Sequence, residues 1–265
     1  MLKFKHSCNT GDLIAAMAGI KKLCDDRNKK AIIYQRLDLP GGYYEGAVHP
    51  TVNDKGEMVC MNQKMFDMIK PLVEHQYYIQ ELRVWKGEAV DFDLDNIRIH
   101  SVGMPNFPIQ RWYYYVYPQM ATDLSNAWID VSGINFYKSI GIEGKIIINR
   151  TERYNNTNLS FYFLKQYERR LMFLGTEHEH KLFMSKWELD FQRLHVNNFL
   201  EAASALNNCK FMVGNQSFLY NLAEAMKSPR VLELCQYAPN CIVTGKDGYD
   251  FLHQSSLEYY FKNLA

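Results

Sequence analysis

Apolar positions along the chain follow two alternating patterns. Short continuous apolar runs at 2–5, 30–35 and 79–84 read as buried strands. They are separated by stretches in which apolar residues recur every three or four positions, such as Leu13, Ile14, Met17, Ile20 and Leu23, and a second predicted helix covers 63–74. The alternation restarts after about residue 144, with predicted strands at 145–149, 170–174, 209–213 and 230–234 and helices near 158–168, 177–185, 197–206 and 217–227. Buried strands joined by helices imply parallel β-α-β units with right-handed crossovers. The closing segment 255–264 carries Leu257, Tyr260, Phe261 and Leu264 on one helical stripe, and is expected to pack back on the domain junction.

Between these patterned stretches the sequence is less regular. Residues 40–57 are rich in Gly, Pro and Tyr and read as a loop, an insertion over a cleft; 91–98 is acidic and irregular. The aromatic segment 107–117 reads best as a buried strand, although Arg111 with Trp112 to Tyr117 also suits stacking on sugar or base rings. Glycines in 132–144 mark a boundary, giving domains 1–138 and 139–265.

With 265 residues, 47% hydrophobic and 22% charged, the chain has the composition of a folded globular protein. A net charge of +1 offers no global field for a polyanion, so a nucleic-acid partner is not expected. No run approaches a membrane span and no secretory signal is evident, so a cytoplasmic protein is expected, with its six cysteines reduced. His178 and His180 alternate with glutamates, but two residues apart on a helix they point away from each other, and no metal site is expected.

The densest chemical signal lies where the apolar run at 209–213 meets Gly214-Asn215-Gln216-Ser217 and then an Ala-rich helix. A strand, tight turn and helix in this order leave first-turn N–H groups unpartnered at the positive end of a helix dipole, a place suited to phosphate. Gly214 to Ser217 with Asn221-Leu222-Ala223-Glu224-Ala225 resembles the Gly-Asn-Asp-Ser-Gly-x-x-His-x-Ala-x-Ala segment of the ADP-heptose:lipopolysaccharide heptosyltransferases, family 9 glycosyltransferases of the GT-B fold. Gly11-Asp12-Leu13 and Gly175-Thr176-Glu177-His178-Glu179 resemble two further segments of that family, in the same order. The likeness covers the second half best and the first thirty residues next; it assigns nothing in 40–130.

The resemblance implies an α/β protein of two Rossmann-like domains facing across a cleft, shortened relative to the family. It further implies an inverting, metal-independent transfer of a sugar from a nucleoside-diphosphate sugar, with no further cofactor, to a saccharide or glycolipid acceptor. Asp12 matches the family's base, which takes the acceptor's proton; the same residue also reads as a helix-capping Asp, and the two roles are compatible. Asn9, Thr10 and Gly11 form the turn beside it, as acceptor contacts or as plain turn residues. Arg150, Thr151 and Arg153 stand where the family carries Thr and Lys near the diphosphate, or else in a solvated loop. Glu177 or Glu179 would hold the ribose hydroxyls, or simply favour a helix N-terminus. Gln216, Ser217, Phe218, Leu219 and Asn221 would supply amides and hydrogen-bonding groups to the donor. The chain departs from the family in having Gln216, Phe218 and Asn221 where Asp, Gly and His are usual. Those departures leave open a different donor, a non-catalytic nucleotide- or sugar-binding protein, or a transferase acting on a modified nucleic-acid base.

Overall fold

In the computed structural model, residues 1–42, 51–99, 107–136, 141–237 and 239–265 are described. The chain forms two compact units. One holds Met1–Leu124, Trp128–Asp130 and Asn198–Leu200, and the other Ser125–Ala127, Val131–Asn197 and Glu201–Ala265. The expected boundary at 138/139 falls on residues outside those described, as does part of the loop expected at 40–57.

The first unit is built on β1 (Leu2–His6), α1 (Thr10–Arg27), β2 (Ala31–Gln35), α2 (Gln63–Glu74), β3 (Ile79–Val84) and β4 (Phe92–Asp93). The sheet order is β3-β2-β1-β4, and every pairing is parallel. Leu2 and Phe4 on β1, the whole of β2, and Leu13, Ile14, Met17 and Ile20 on α1 are buried, as sandwiching a parallel strand between helices requires. The acidic stretch expected to be irregular instead supplies β4, joined to β1 at Phe4–Phe92 and Lys5–Asp93, followed by a 3-10 helix at Leu94–Arg98.

The aromatic segment expected as a strand is a helix, α3 (Ile109–Val116), with Pro108 at its N-cap. Aromatic residues favour strands on average. Here burial recurs at Gln110 and Tyr113, three apart, while Arg111 and Tyr115 face solvent, so the period is helical.

The second unit runs β5 (Ile146–Asn149), a 3-10 helix at Tyr162–Arg170, β6 (Leu171–Phe173), α4 (Glu177–Trp187), α5 (Phe199–Asn208), β7 (Phe211–Asn215), α6 (Phe218–Met226), β8 (Arg230–Glu233), β9 (Gly248–Phe251) and α7 (Gln254–Leu264). Its parallel sheet has the order β6-β5-β7-β8-β9. The edge strand β9 is absent from the sequence reading, because Gly248-Tyr-Asp-Phe has no apolar run and only Phe251 is buried. The predicted α-helix near 158–168 is a 3-10 helix that begins at Tyr162.

The last helix uses its apolar stripe within the second unit. Leu257 and Phe261 are fully buried in a core with Phe161, Phe173, Phe211 and Val231, and the Phe261 ring lies 5.2 Å from that of Phe163 and 5.6 Å from that of Phe211. The stripe expected to pack back on the domain junction contributes Leu257 and Phe261 to this aromatic core. Phe261→Ala should therefore cost about 3–5 kcal/mol. Tyr259→Ala, on the exposed side of the same helix, should stay within about 0.5 kcal/mol of wild type. Equilibrium urea denaturation of the two variants measures both.

Candidate functional site

In each sheet the chain first builds outward in one direction and then returns to the other side of its first strand. This puts a reversal point between β1 and β4 in the first unit and between β5 and β7 in the second. Ligands of open α/β sheets bind at the carboxyl ends of strands beside such a point. The sequence-predicted residues gather at these two places.

At the end of β1, Asn9 is the N-cap of α1, Thr10 and Gly11 open the helix, and Asp12 is its third residue. Asp12 Oδ2 accepts the Asn9 N–H at 3.3 Å, closing a capping box, and pairs with Arg98 Nη2 at 3.2 Å. The capping role is thus realised, and the carboxylate also holds an arginine 86 residues away. The Asp12 side chain is 7% exposed and that of Arg98 50%. Tyr113, buried on α3, donates its hydroxyl to the Asp12 backbone carbonyl at 3.2 Å. Asp12 pushes the Arg98 pKa up, so the guanidinium stays charged. Burial first, and then the Asp12 charge, push the neighbouring Cys8 thiol up to about 12, so at neutral pH Cys8 is a protonated, inert thiol. Lys5 pairs with both Asp93 and Asp95, at 2.9 and 3.0 Å, and Ser7 donates to Asp95 at 2.5 Å. Lys5 thus holds both carboxylates through Oδ2, with Asp95 Oδ1 left buried and without a hydrogen bond, while Arg98 is directed to Asp12.

In the second unit the carboxyl ends of β5, β6 and β7 are tied together by asparagines. Asn149 donates from Nδ2 to the Leu174 carbonyl at 2.8 Å and accepts from the Ser217 hydroxyl at 2.7 Å. Asn215, fully buried, accepts from the Thr151 N–H at 2.9 Å and donates to the Thr151 and Arg153 carbonyls at 3.1 and 2.6 Å. This clamp shapes the 151–155 loop over the strand ends. Gly214 allows it, since a Cβ there would sit 2.9 Å from the Asn149 carbonyl oxygen.

Ser217 caps α6 by accepting the Tyr220 N–H at 3.1 Å. Lys227, in the left-handed region, closes the helix at its other end. Phe218 is half-buried and Leu219 buried at that first turn. The Ser217 hydroxyl, expected as a ligand contact, is already engaged at both ends.

Three other expected donor contacts are redirected. Arg150 is not in a solvated loop but buried. Its Nε and Nη2 bind Glu233 at 2.7 and 2.8 Å, with side chains only 6% and 1% exposed, and Nη2 also donates to the Asn156 carbonyl. Gln216 Oε1 accepts the Cys241 N–H at 2.9 Å, and Asn221 Oδ1 lies 3.4 Å from Cys241 Sγ, so both anchor the segment after β8. Being buried, these groups have to find partners within the chain.

Glu179 forms a capping box with Thr176, its Oε2 accepting from the Thr176 N–H and hydroxyl, both at 2.9 Å. Glu177 is exposed, and its hydrogen bond with Lys181 lowers its pKa. A pocket of about 300 Å³ brings Arg150, Thr151 and Glu179 together with Glu152, Asn155, Leu182 and Trp187. Arg153 lies beside Tyr154, its guanidinium 5.4 Å from the ring.

His180 Nε2 bonds the Phe191 carbonyl at 2.8 Å, and His178 lies 3.3 Å from Glu152. Among the described residues no group of three or more His, Cys, Asp or Glu is placed to hold a metal ion. Nor is any helix among them long and apolar enough to cross a membrane.

Arg98, Asn149 and Glu233 escaped the sequence reading of the site, and Tyr113 and Asn215 entered it only as members of longer stretches. For Asn149, Asn215 and Glu233 a signal existed, since each ends an apolar strand with a polar residue. For Arg98 there was none.

Glu233→Gln leaves the Arg150 charge buried without its counter-ion and should cost about 3–5 kcal/mol in urea denaturation. The double change Arg150→Met with Glu233→Leu should recover most of that loss, because the charge goes with its partner.

No protein-family model and no curated protein sequence matches the chain. Solved structures do match it in fold. The glycosyl transferase family 9 structure from Veillonella parvula DSM 2008 aligns at a TM-score of 0.62 and 13% identity, over 98% of this chain and 88% of that one. The E. coli heptosyltransferase WaaC with ADP aligns at 0.64 and 9% identity, over 100% and 99%. The E. coli ADP-heptose lps heptosyltransferase II aligns at 0.60 and 12% identity, over 100% and 98%. The α/β fold with its parallel sheets is therefore the one found in family 9 glycosyltransferase structures.

Proposed function

We propose that the protein is a glycosyltransferase that takes its sugar from a nucleoside-diphosphate donor held by the second unit. The observation that carries this reading is the whole-chain fold likeness to heptosyltransferase structures, one of them bound to ADP. In the same reading the two units face each other across a cleft in the GT-B manner, with the acceptor on the first.

The donor diphosphate would lie at the N-terminus of α6, where the amides of Ser217, Phe218 and Leu219 meet the charge that grows on the leaving group. Thr151 and Arg153 stand on the loop clamped by Asn215. Glu179, which lines the pocket where Glu177 does not, is the better placed to accept ribose hydroxyls, through the oxygen not used in its cap.

Asp12 would act as the base. Its Oδ2 already accepts two donors, so the acceptor proton goes to Oδ1 as the acceptor oxygen attacks the anomeric carbon. The bond from that carbon to the diphosphate breaks on the opposite face, so the configuration inverts. The donor's charge is met by amides and Arg153, and the reaction as drawn calls for no metal. A saccharide or glycolipid with a free hydroxyl is the acceptor class.

A non-catalytic binding protein is the second reading. It is favoured by the internal use of Arg150, Gln216 and Asn221, whose polar groups are engaged within the chain.

Thermal shift against a panel of nucleoside diphosphates and nucleotide-sugars separates these readings. A ligand at a hundred times its Kd should stabilise the fold by about 2.7 kcal/mol in either case. Only the transferase releases nucleoside diphosphate when an acceptor is added. Asp12→Asn should keep the thermal shift and lose the release, and Arg153→Ala should weaken the shift. A panel that moves no melting temperature would overturn both readings.

A further inference from the structure

We propose that Arg98 is a positioning residue for the Asp12 carboxylate, selecting which of its oxygens is presented to the acceptor. The inference rests on the transferase reading, because it presumes that Asp12 receives a proton.

Asp12 Oδ2 takes the Asn9 N–H at 3.3 Å and Arg98 Nη2 at 3.2 Å, so both donors lie on one oxygen. Held only by its helix cap, a carboxylate can swing about its last torsion and offer either oxygen. A second donor on the same atom, from a different element, fixes the plane of the group and leaves Oδ1 as the open face. The backbone beneath is fixed as well, since the Tyr113 hydroxyl holds the Asp12 carbonyl at 3.2 Å.

Arg98 is itself well placed for this task. It closes the 3-10 helix that follows β4, the strand paired with β1, and its guanidinium lies 5.7 Å from the Trp112 ring. Asp93 and Asp95, which would otherwise compete for it, are paired with Lys5. The half-exposed arginine is the solvent-side partner of a carboxylate that is only 7% exposed. A bidentate-capable, permanently charged fork suits the position, and a lysine would hold the oxygen with less angular control.

The test is steady-state transfer by the full chain, using the donor and acceptor pair turned over by wild type, for Arg98→Ala, Arg98→Lys, Asp12→Asn and the double variant Asp12→Asn with Arg98→Ala. A misplaced base costs on the order of 10- to 100-fold in rate. Arg98→Ala should lose that much kcat with its donor KM within about twofold of wild type, since the donor sits on the other unit. Arg98→Lys should fall between the two, and added methylguanidinium should restore Arg98→Ala saturably. The double variant should be no slower than Asp12→Asn, because Arg98 acts through Asp12.

An unchanged kcat in Arg98→Ala, or a further loss in the Asp12→Asn background, overturns the inference while leaving the transferase reading intact. A wild type that transfers nothing defeats the transferase reading instead. The melting temperatures of the same four proteins then decide what remains: coupled shifts make Arg98 only a structural partner of Asp12, and additive shifts remove even that. Either outcome ends the positioning role.

Discussion

A parallel strand that ends in a polar residue inside a protein must find hydrogen bonds for that residue away from water, and the second unit is organised around this constraint. Asn215 at the end of β7 meets it by binding the backbone of the 151–155 loop, and Asn149 at the end of β5 meets it through Leu174 and Ser217. Arg150 and Glu233 complete the set across the ends of β5 and β8. The loop, the α6 N-terminus and the strand ends thus share one polar network. A network of this kind rigidifies a site when every member is satisfied, and is costly when one is lost.

The consequence for chemistry is a division of labour. Several residues whose types suit ligand contact, such as Arg150, Gln216 and Asn221, are consumed in holding the frame. In the proposed reading, the first-turn amides of α6 and the Thr151 to Arg153 loop are the groups that this frame positions for a ligand. Preorganised amides of this sort need no reorganisation when charge develops in front of them. The first unit applies the same economy to a single carboxylate, whose Oδ2 both caps α1 and pairs with Arg98.

Most of the alternation of strand and helix was legible, because buried parallel strands carry dense apolar runs and their helices a regular stripe. Predicted and observed limits agree to within about two residues for β1, β2, α2, β3, β5, α4 and α6. Elements that lack these signals were lost. β9 is a short edge strand with one buried residue, and β4 is two residues within an acidic stretch. The α3 helix was misread because its rings favour strands in general, and only the packing of Tyr113 against α1 determines its period.

By itself, the sequence determined the order of those elements that carry an apolar run or stripe, the place of the turn at Gly214 to Ser217 and the position of Asp12 at the first turn of α1. These are local matters of spacing and capping, settled within a few residues. Which polar side chains serve the fold and which face outward was decided only by tertiary structure. Arg150 meets Glu233 83 residues later, and Asp12 meets Arg98 86 residues later. No local pattern encodes such a partner, since a hydrogen bond depends on position in space and folding alone brings those positions together.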